Sequence, residues 1–339
     1  MSLPIYQERG KTYRVDQCAP LQQAAARDLV QLTALARGHY PGRKLQPAAL
    51  PGVKTVGFWD AHGVQDWGLD WHQNEGIELT FLERGGLAYA VDKHRCRLQP
   101  NDLTVARPWQ RHRVGDPNIG ASRLHWLILD VGVRRPHQSW QWPPWLVLTK
   151  NDLKELTDHL RKNERPVCRA TAEIRHCFQR IATTLAADRE GGNISLLATL
   201  LNELFVQVLA MFRHQRIKHD QSLVSTQRTV ELFWADLAQN FSHLTADWTV
   251  KTMARQCGLG VTHFIHHTKQ LTNTTPIKNL NQFRLQAAAS RLGENPGRSI
   301  TDTAFAYGFN SSQYFAKLFR QQFGCAPRDY RPGRNTPAN

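Results

Sequence analysis

The chain has 339 residues, of which 41% are hydrophobic, and a formal net charge of +15 at pH 7. This length predicts two or three domains with buried cores, and the positive charge favours a polyanionic partner without identifying one. No segment approaches the roughly 18 consecutive apolar residues that span a bilayer, and the N-terminus lacks the apolar stretch of a secretory signal. The six cysteines form no CxxC pair, which favours free thiols over disulfides or a zinc site. We therefore expect a cytoplasmic protein.

The first segment, residues 1–52, is predicted to be an N-terminal arm that contains one helix, from Leu21 to Arg37. The apolar stripe that indicates this helix is partial. It consists of Leu29, Leu32 and Leu35.

Residues 53–150 change to short runs of alternating apolar and polar residues, separated by Gly, Asp, Asn and Pro. The clearest runs lie at 78–82, 87–91 and 126–129. Short strands at this spacing are typical of a β-sandwich or a β-barrel.

Helical periodicity returns over residues 151–213, with predicted helices at 152–161, 170–185 and 194–212. The last of these is apolar on nearly every side. Such a helix must be buried in its own domain or against another chain, so ordinary packing and dimerisation both remain open. The polar residues 214–227 are predicted to be a linker.

One apolar pattern occurs twice in the last third of the chain, fifty residues apart. It pairs Val250 with Ile300, Ala254 with Ala304, Gly258 with Gly308, and Leu259 with Phe309. Each copy predicts a helix, a tight turn at the glycine and a second helix, the arrangement in which the second helix enters a DNA major groove. We therefore predict a sequence-specific DNA-binding domain over residues 228–333.

The second copy allows its faces to be assigned. Ser299 can cap a helix from Ile300 to Tyr307, and Asn310 or Ser311 can cap the next one. The side chains predicted to point inward on that next helix are Tyr314, Phe315, Leu318, Phe319 and Phe323. The outward set, suited to base edges and phosphates, is Ser312, Gln313, Ala316, Lys317 and Arg320.

Residues 299–331 closely resemble the second helix-turn-helix of the AraC/XylS transcription regulators. The matching residues are Ile300, Ala304, Gly308, Phe309, Tyr314, Phe315, Phe319, Arg320, Gly324, Pro327, Tyr330 and Arg331. The first copy departs from the family pattern at Gly260, His266 and Thr268. By that pattern, the residues facing the groove are Thr262, Ile265 and His266 in the first copy, and Ser311 with the outward set in the second.

The resemblance extends over about residues 225–331 and includes a linking helix at 276–292. Phe283, Arg284, Leu285 and Ala288 stand at its familiar places. Such a helix would hold the two reading helices about one DNA turn apart, roughly 34 Å.

With this family identified, the β-rich region resembles the cupin-type effector domain of many AraC relatives, most clearly at 98–112, where Asn101 replaces the usual glycine. Tryptophan indicates a ligand, because eight of the ten lie between Trp59 and Trp145 and an indole face with a polar rim suits a sugar or an aromatic ring. The candidate effector-binding residues are Trp59, Trp67, Trp71, His72, Glu78, Trp109 and His112. We expect the histidines and the glutamate to line a pocket without a metal or other cofactor.

The sequence thus predicts an α+β multidomain regulator: a cupin-like β-domain with a helical dimerisation segment, followed by an all-α domain with two helix-turn-helix motifs. The resemblance implies a homodimeric activator that binds double-stranded DNA and RNA polymerase and responds to a small effector, with a carbohydrate favoured. It implies no enzymatic activity. Two alternatives remain open: a metal-dependent cupin enzyme with a helical tail, and a nucleic-acid packaging protein that tolerates any sequence.

Overall fold

The computed structural model describes residues 5–8, 11–14, 18–92, 94–133, 138–163, 165–188, 191–215, 219–239, 241–294 and 299–330. The chain divides into two compact units between Val224 and Ser225. The first unit is rich in β-structure and the second is helical, which confirms the predicted α+β multidomain class. Arg331, the last residue of the predicted motif, lies outside the described residues.

The first unit contains thirteen strands among its described residues. They are β1 Ile5–Glu8, β2 Lys11–Arg14, β3 Gln31–Ala36, β4 Arg43–Lys44, β5 Val53–Ala61, β6 Leu69–His72, β7 Ile77–Gly85, β8 Leu87–Val91, β9 His94–Leu98, β10 Asp102–Ala106, β11 His112–Val114, β12 Ser122–Leu129 and β13 Val167–Arg169.

Two sheets form the body of this unit. The larger has the strand order β13-β10-β7-β12-β5-β3-β4, and the smaller has the order β6-β11-β8-β9, while β1 and β2 form a separate ribbon. One apolar cluster lies between the larger sheet and the helices, and a second cluster, centred on Trp59, Leu82 and Leu124, joins the two sheets. The predicted runs at 78–82, 87–91 and 126–129 all lie in strands.

The predicted helix from Leu21 to Arg37 is wrong in its second half. Helix α1 spans only Ala19–Ala26, and the chain leaves it at Asp28, whose φ is +55°. The rest of the predicted stripe is strand β3, which pairs antiparallel with β5 along six residues and buries Leu35 in the core. A partial leucine stripe is compatible with both the helical and the strand period. The pairing of β3 with β5 determines that the segment is a strand. The sheet therefore includes residues that precede the predicted boundary at 53.

Three longer helices follow the sheets: α2 Lys150–Lys162, α3 Ala172–Ala187 and α4 Ile194–Gln215. By length and composition, α4 is the one helix among the described residues that could cross a membrane. Its buried side chains belong to the main core cluster of this unit, however, and a core helix has the same composition. Its outward face includes Leu196 and Val206, each about half exposed.

The segment predicted as a linker, 214–227, is partly structured. Helix α4 continues to Gln215, and a short 3-10 helix spans Gln221–Val224. Before it, the Asp220 amide donates to the Lys162 carbonyl oxygen at 2.8 Å. Residues 219–224 thus pack against the end of α2 and extend the first unit.

The second unit consists of helices. They are α5 Thr226–Gln239, α6 Phe241–Leu244, α7 Val250–Gln256, α8 Val261–Thr272, α9 Pro276–Glu294, α10 Ile300–Ala306 and α11 Ser312–Phe323, followed by a 3-10 turn at Pro327–Asp329. One apolar cluster surrounds α7 and α8, and another surrounds α10 and α11. Helix α9 contributes residues to both clusters.

Candidate DNA-binding interface and effector cavity

Both copies of the repeat close their first helix with the same glycine turn. Gly258 and Gly308 have φ values of +67° and +77°, a region that favours glycine. In each copy the amide one residue past the glycine donates to the carbonyl oxygen of the buried alanine, Ala254 or Ala304, at 2.9 and 3.0 Å. The predicted fifty-residue repeat is therefore present as two α-turn units.

The reading helices α8 and α11 are offset by 51 residues rather than 50. Helix α8 begins after its N-cap Gly260, and α11 begins after its N-cap Ser311, so the first turn is one residue shorter. The equivalent positions on the outer surfaces are Thr262 with Gln313, His263 with Tyr314, Ile265 with Ala316, His266 with Lys317, and Lys269 with Arg320.

In the second copy, Phe315 and Phe319 are fully buried, whereas Gln313, Lys317 and Arg320 are exposed and Ser312 and Ala316 partly exposed. Ser311 caps the helix by accepting the Tyr314 amide at 3.2 Å, and it donates its hydroxyl to Gln313 Oε1 at 2.9 Å. The polar and basic surface that DNA contact requires is thus present on one side of α11.

Tyr314 was predicted to point inward and does not, since 47% of it is exposed. Its hydroxyl lies 3.4 Å from the side-chain nitrogen of Asn281 on α9. The core side of α11 is set by residues four apart, Phe315 and Phe319, and a residue one place earlier is rotated about 100° away from that line. Tyr314 therefore joins the outer surface.

The first reading helix has Thr262 and His266 exposed and Ile265 half-buried. Its N-cap Gly260 makes no side-chain capping bond. At the position where the second copy has Phe319, this copy has Thr268, which is fully buried.

A tryptophan from another helix compensates for that smaller residue. Trp234 on α5 stacks on Phe264 with ring centroids 6.0 Å apart, and its indole nitrogen donates to Thr268 Oγ1 at 3.2 Å. The core of the first copy is therefore completed by α5, although its sequence departs from the family pattern.

Arg284 on α9 connects the segment before the first copy to the turn of the second copy. Arg284 is 6% exposed, and its guanidinium donates to three backbone carbonyl oxygens: Leu244 at 3.0 Å, Ala246 at 2.6 Å and Gly308 at 2.7 Å. The first two precede α7, and the third lies in the turn of the second copy. Burial lowers the pKa of Arg284, but the group stays charged at neutral pH because its ordinary value is so high.

The sequence analysis missed three residues on these outer surfaces: His263, Lys269 and Tyr314. All three are exposed. The signal that could have identified Lys269 and His263 is the 51-residue offset between the reading helices, which the fifty-residue pairing of the glycine turns concealed.

In the first unit, a cavity of about 40 Å³ opens between the two sheets. Its aromatic and polar lining consists of Tyr40, Trp59 and Trp126 with Thr55, His72, Asn74 and Glu78.

The candidate effector residues divide around this cavity. Trp59, His72 and Glu78 line it, and Trp67 packs edge-on against Trp59 with centroids 6.2 Å apart. Two other tryptophans lie outside the lining. Trp71 stacks with the Arg111 guanidinium, and the Trp109 indole donates to the Val133 carbonyl oxygen at 2.8 Å.

Two aromatic side chains of the lining were missed. Tyr40 donates its hydroxyl to Glu75 at 2.7 Å, and Trp126 donates its indole N–H to Thr55 at 3.1 Å. Tyr40 falls in a segment predicted to lie before the β-domain, and Trp126 reads as an ordinary strand residue. Asn101 adopts the left-handed conformation, φ +73°, that its place in the cupin-like motif requires.

His72, Glu78 and His112 come together beside the cavity. His112 Nε2 lies 3.0 Å from Glu78 Oε2, and the two imidazole centroids are 4.2 Å apart. Burial alone would raise the pKa of Glu78, but the charge and hydrogen bond of His112 outweigh it and lower that pKa to about 2. Burial and the neighbouring His112 lower the pKa of His72 to about 4. Burial opposes protonation of His112 too, yet Glu78 raises its pKa above the ordinary value.

Known proteins resemble the helical unit most clearly. Residues 253–333 match the family described as "Helix-turn-helix domain". The chain is 30% identical over 149 residues to the HTH-type transcriptional activator RhaS of Escherichia coli O139:H28, an alignment that covers 44% of this chain and 51% of RhaS. The chain therefore spans about half the length of this relative.

Two solved structures also resemble this chain, both with low TM-scores. Wild-type ToxT from Vibrio cholerae, bound to an unsaturated fatty acid, is 11% identical, with a TM-score of 0.36 and coverage of 84% of this chain and 96% of ToxT. The DNA-binding domain of AdpA in complex with a target DNA is 29% identical, with a TM-score of 0.26 and coverage of 29% and 88%. Neither TM-score is high enough to establish a shared fold.

The likeness to known proteins concerns the second unit, where two helix-turn-helix motifs are joined by α9 and residues 253–333 match the helix-turn-helix family. The RhaS alignment is a second likeness, to a transcriptional activator. The second unit therefore contains a helix-turn-helix domain that is similar to that of a transcriptional activator.

Proposed function

We propose that this chain is a sequence-specific DNA-binding regulator of transcription that responds to a small effector. The observation that carries the proposal is the duplicated helix-turn-helix, in which each reading helix buries one side and exposes a polar or basic one. Lys317 and Arg320 in the second copy, and Lys269 in the first, are exposed cations on those sides.

These side chains have the chemistry that duplex recognition needs. Gln313 near the start of α11 suits a base edge in the major groove, while Lys317 and Arg320 farther along suit guanine or phosphate. In the first copy, Thr262, Ile265 and His266 occupy the equivalent places. Helix α9 has 19 residues, so it is about 28 Å long. This supports two reading helices spaced for successive major grooves of one duplex, roughly 34 Å apart.

The effector is proposed to bind in the β-rich unit, at the cavity lined by Trp59 and Trp126. Indole faces beside polar groups suit a sugar ring. Binding can regulate only if the effector prefers one arrangement of the protein to another.

We further propose a cytoplasmic homodimer that activates transcription together with RNA polymerase. The exposed apolar residues of α4, Leu196 and Val206, support a dimer contact on that helix. Activation is supported by the likeness to RhaS, which is named a transcriptional activator.

DNA binding can be tested with Gln313→Ala and Lys317→Ala in gel-shift titrations on fragments selected from genomic DNA by footprinting. Each variant should weaken binding to the selected site by about 10- to 100-fold, because each removes a contact worth about 1–3 kcal/mol. Lys150→Ala is the matched control, since it removes one exposed positive charge from the first unit.

The results of these titrations distinguish a sequence-specific regulator from a packaging protein. Unchanged affinity and selectivity in both variants would contradict the assignment of α11 as a reading helix. Binding that falls with salt equally for all sequences would indicate a packaging protein held by phosphate contacts alone. A regulator retains a large preference for its own site.

A further inference from the structure

We propose that His159 and His219 form a pH-sensitive latch, which holds residues 219–224 against helix α2 at neutral pH and releases them on acidification. His219 Nε2 lies 2.9 Å from His159 Nδ1, and the two rings meet edge to face with centroids 4.8 Å apart. The latch belongs to the first unit alone, so the inference does not rest on the proposed DNA binding or on the effector.

The latch joins two segments that are distant in the sequence. His159 lies in the last turn of α2, is 9% exposed, and packs on Phe212 of α4 with ring centroids 5.3 Å apart. His219 is exposed and forms an isolated β-bridge with Asn163. Beside it, the Asp220 amide donates to the last carbonyl oxygen of α2 at 2.8 Å. The two histidines therefore reinforce a short backbone pairing at the end of α2.

The contact between the two rings accommodates one bridging proton but not two. A neutral imidazole has one donor and one acceptor nitrogen, whereas a protonated imidazole has two donors and no acceptor. The hydrogen bond therefore requires that at least one of the two rings is neutral. When both rings are protonated, two N–H groups and two positive charges face each other across the contact, and the bond is lost.

The carboxylates of α2 offset a second positive charge only in part. Glu155 Oε1 lies 3.7 Å from His159 Nε2, but both oxygens of Glu155 also accept from Arg213 of α4, at 3.0 and 2.6 Å. Asp158 is paired with Lys162 at 2.6 Å. Each acidic group of α2 near the latch thus already has a cationic partner.

The segment that the latch holds contributes one more carboxylate, that of Asp220, which accepts the amide and the hydroxyl of Ser222 at 2.8 Å each. Burial and the neighbouring His219 lower the pKa of His159, and Glu155 opposes this effect without reversing it. Release removes the neighbouring ring and admits water, so the pKa of His159 then rises towards its ordinary value. The released state binds the proton more tightly than the latched state. Proton linkage therefore favours release as the pH falls below the ordinary imidazole pKa of about 6.5.

The latched residues stand at the end of the first unit. A single residue, Ser225, separates the 3-10 helix Gln221–Val224 from the start of α5. When the segment is released, the connection between the end of α4 and the start of α5 consists of residues 216–225, which span up to about 35 Å when extended. Acidification would therefore convert a short connection between the two units into a long one.

The test is amide hydrogen exchange of the full-length chain, measured by mass spectrometry at pH 7.5 and pH 5.0. EDTA is present throughout, so that no metal ion bridges the two imidazoles, and the rates are corrected with an unfolded peptide of the same sequence. We expect the protection of residues 219–224 to fall by about 3- to 10-fold at pH 5.0, which corresponds to the loss of one hydrogen bond. Peptides from α3 should keep their protection.

His219→Gln removes one titratable ring and keeps a side-chain amide whose oxygen can accept from protonated His159. This variant should lose most of the fall in protection, and since His219 is exposed, the substitution should leave the fold intact by circular dichroism. His176→Gln is the matched control, because His176 is an exposed histidine of α3 in the same unit. It should behave as the unsubstituted chain does.

Three results would overturn the proposal. The first is equal corrected protection of residues 219–224 at the two pH values in the unsubstituted chain. The second is a fall in His219→Gln as large as that in the unsubstituted chain. The third is a fall of the same size in the peptides of α3, because the effect would then be acid unfolding of the whole unit.

Discussion

The two helix-turn-helix copies share one backbone plan but fill their cores differently. In the second copy, Phe319 packs between Phe315 and Phe323, with ring centroids 5.5 and 4.5 Å away, and Tyr330 meets the same ring at 5.4 Å. In the first copy, Thr268 stands at that place, and Trp234 from α5 supplies the missing aromatic ring.

This difference shows which positions define the unit. Both copies share three core features: the turn glycine, the buried alanine before it, and one phenylalanine on the reading helix, Phe264 or Phe315. The remaining core volume can come from another helix. The first copy is therefore weak in family resemblance without being irregular in structure.

The largest effects should come from removing the ring that completes each core. Phe319→Ala and Trp234→Ala should each lower the free energy of unfolding by about 3–5 kcal/mol, the usual cost of truncating a large buried aromatic side chain. Urea denaturation followed by circular dichroism at 222 nm measures both. A cost below about 1 kcal/mol for Trp234→Ala would show that α5 does not complete the first copy.

Gly308→Ala should rank next. A Cβ at Gly308 would lie 2.8 Å from the Arg284 guanidinium and 2.9 Å from the Thr245 carbonyl oxygen, at a φ of +77°. Gly324 has a similar φ, +75°, but open space around its Cβ position. We expect about 1–2 kcal/mol for Gly324→Ala, from the conformation alone, and at least about 3 kcal/mol for Gly308→Ala. Equal costs in thermal or urea unfolding would contradict the close approach of Arg284.

The smallest effects concern the two N-caps. Ser311→Ala should cost about 1 kcal/mol because it removes the acceptor for the Tyr314 amide, whereas Gly260→Ser should stabilise by only a few tenths. Gly260 has the extended conformation of an N-cap and open space at its Cβ position. Melting temperatures of the two variants should move in opposite directions, and a fall for Gly260→Ser would mean that the first turn is strained.

Much of the fold follows from local pattern. Alternation identified the strands at 78–82, 87–91 and 126–129, and helical periodicity identified α2, α3 and α4 to within a few residues. The helix predicted after Asp28 was wrong because its apolar residues fit either the helical or the strand period. Only the pairing of β3 with β5 shows that this segment is a strand.

The residues of the candidate sites also fall into those that local pattern identifies and those that it does not. The exposed residues of α11 could be identified because one helix carries both sides of the pattern. Two features depend on contacts between distant segments. One is the packing of Trp234 in place of a ring on the reading helix, and the other is the position of Tyr40 and Trp126 in the cavity. The meeting of His72 with His112 is of this kind too, since forty residues separate them and cross-strand pairing brings them together.

Arg284 has a consequence for the proposed DNA site. One buried guanidinium binds the carbonyl groups of Leu244 and Ala246, just before the first copy, and that of Gly308 in the turn of the second. We therefore expect the two reading helices to move together rather than independently. One base pair inserted between their recognition elements lengthens the duplex by about 3.4 Å and turns the second element by about 35°. Two helix-turn-helix units that moved independently could adjust to such an insertion. We expect this protein instead to lose contact with one of the two recognition elements.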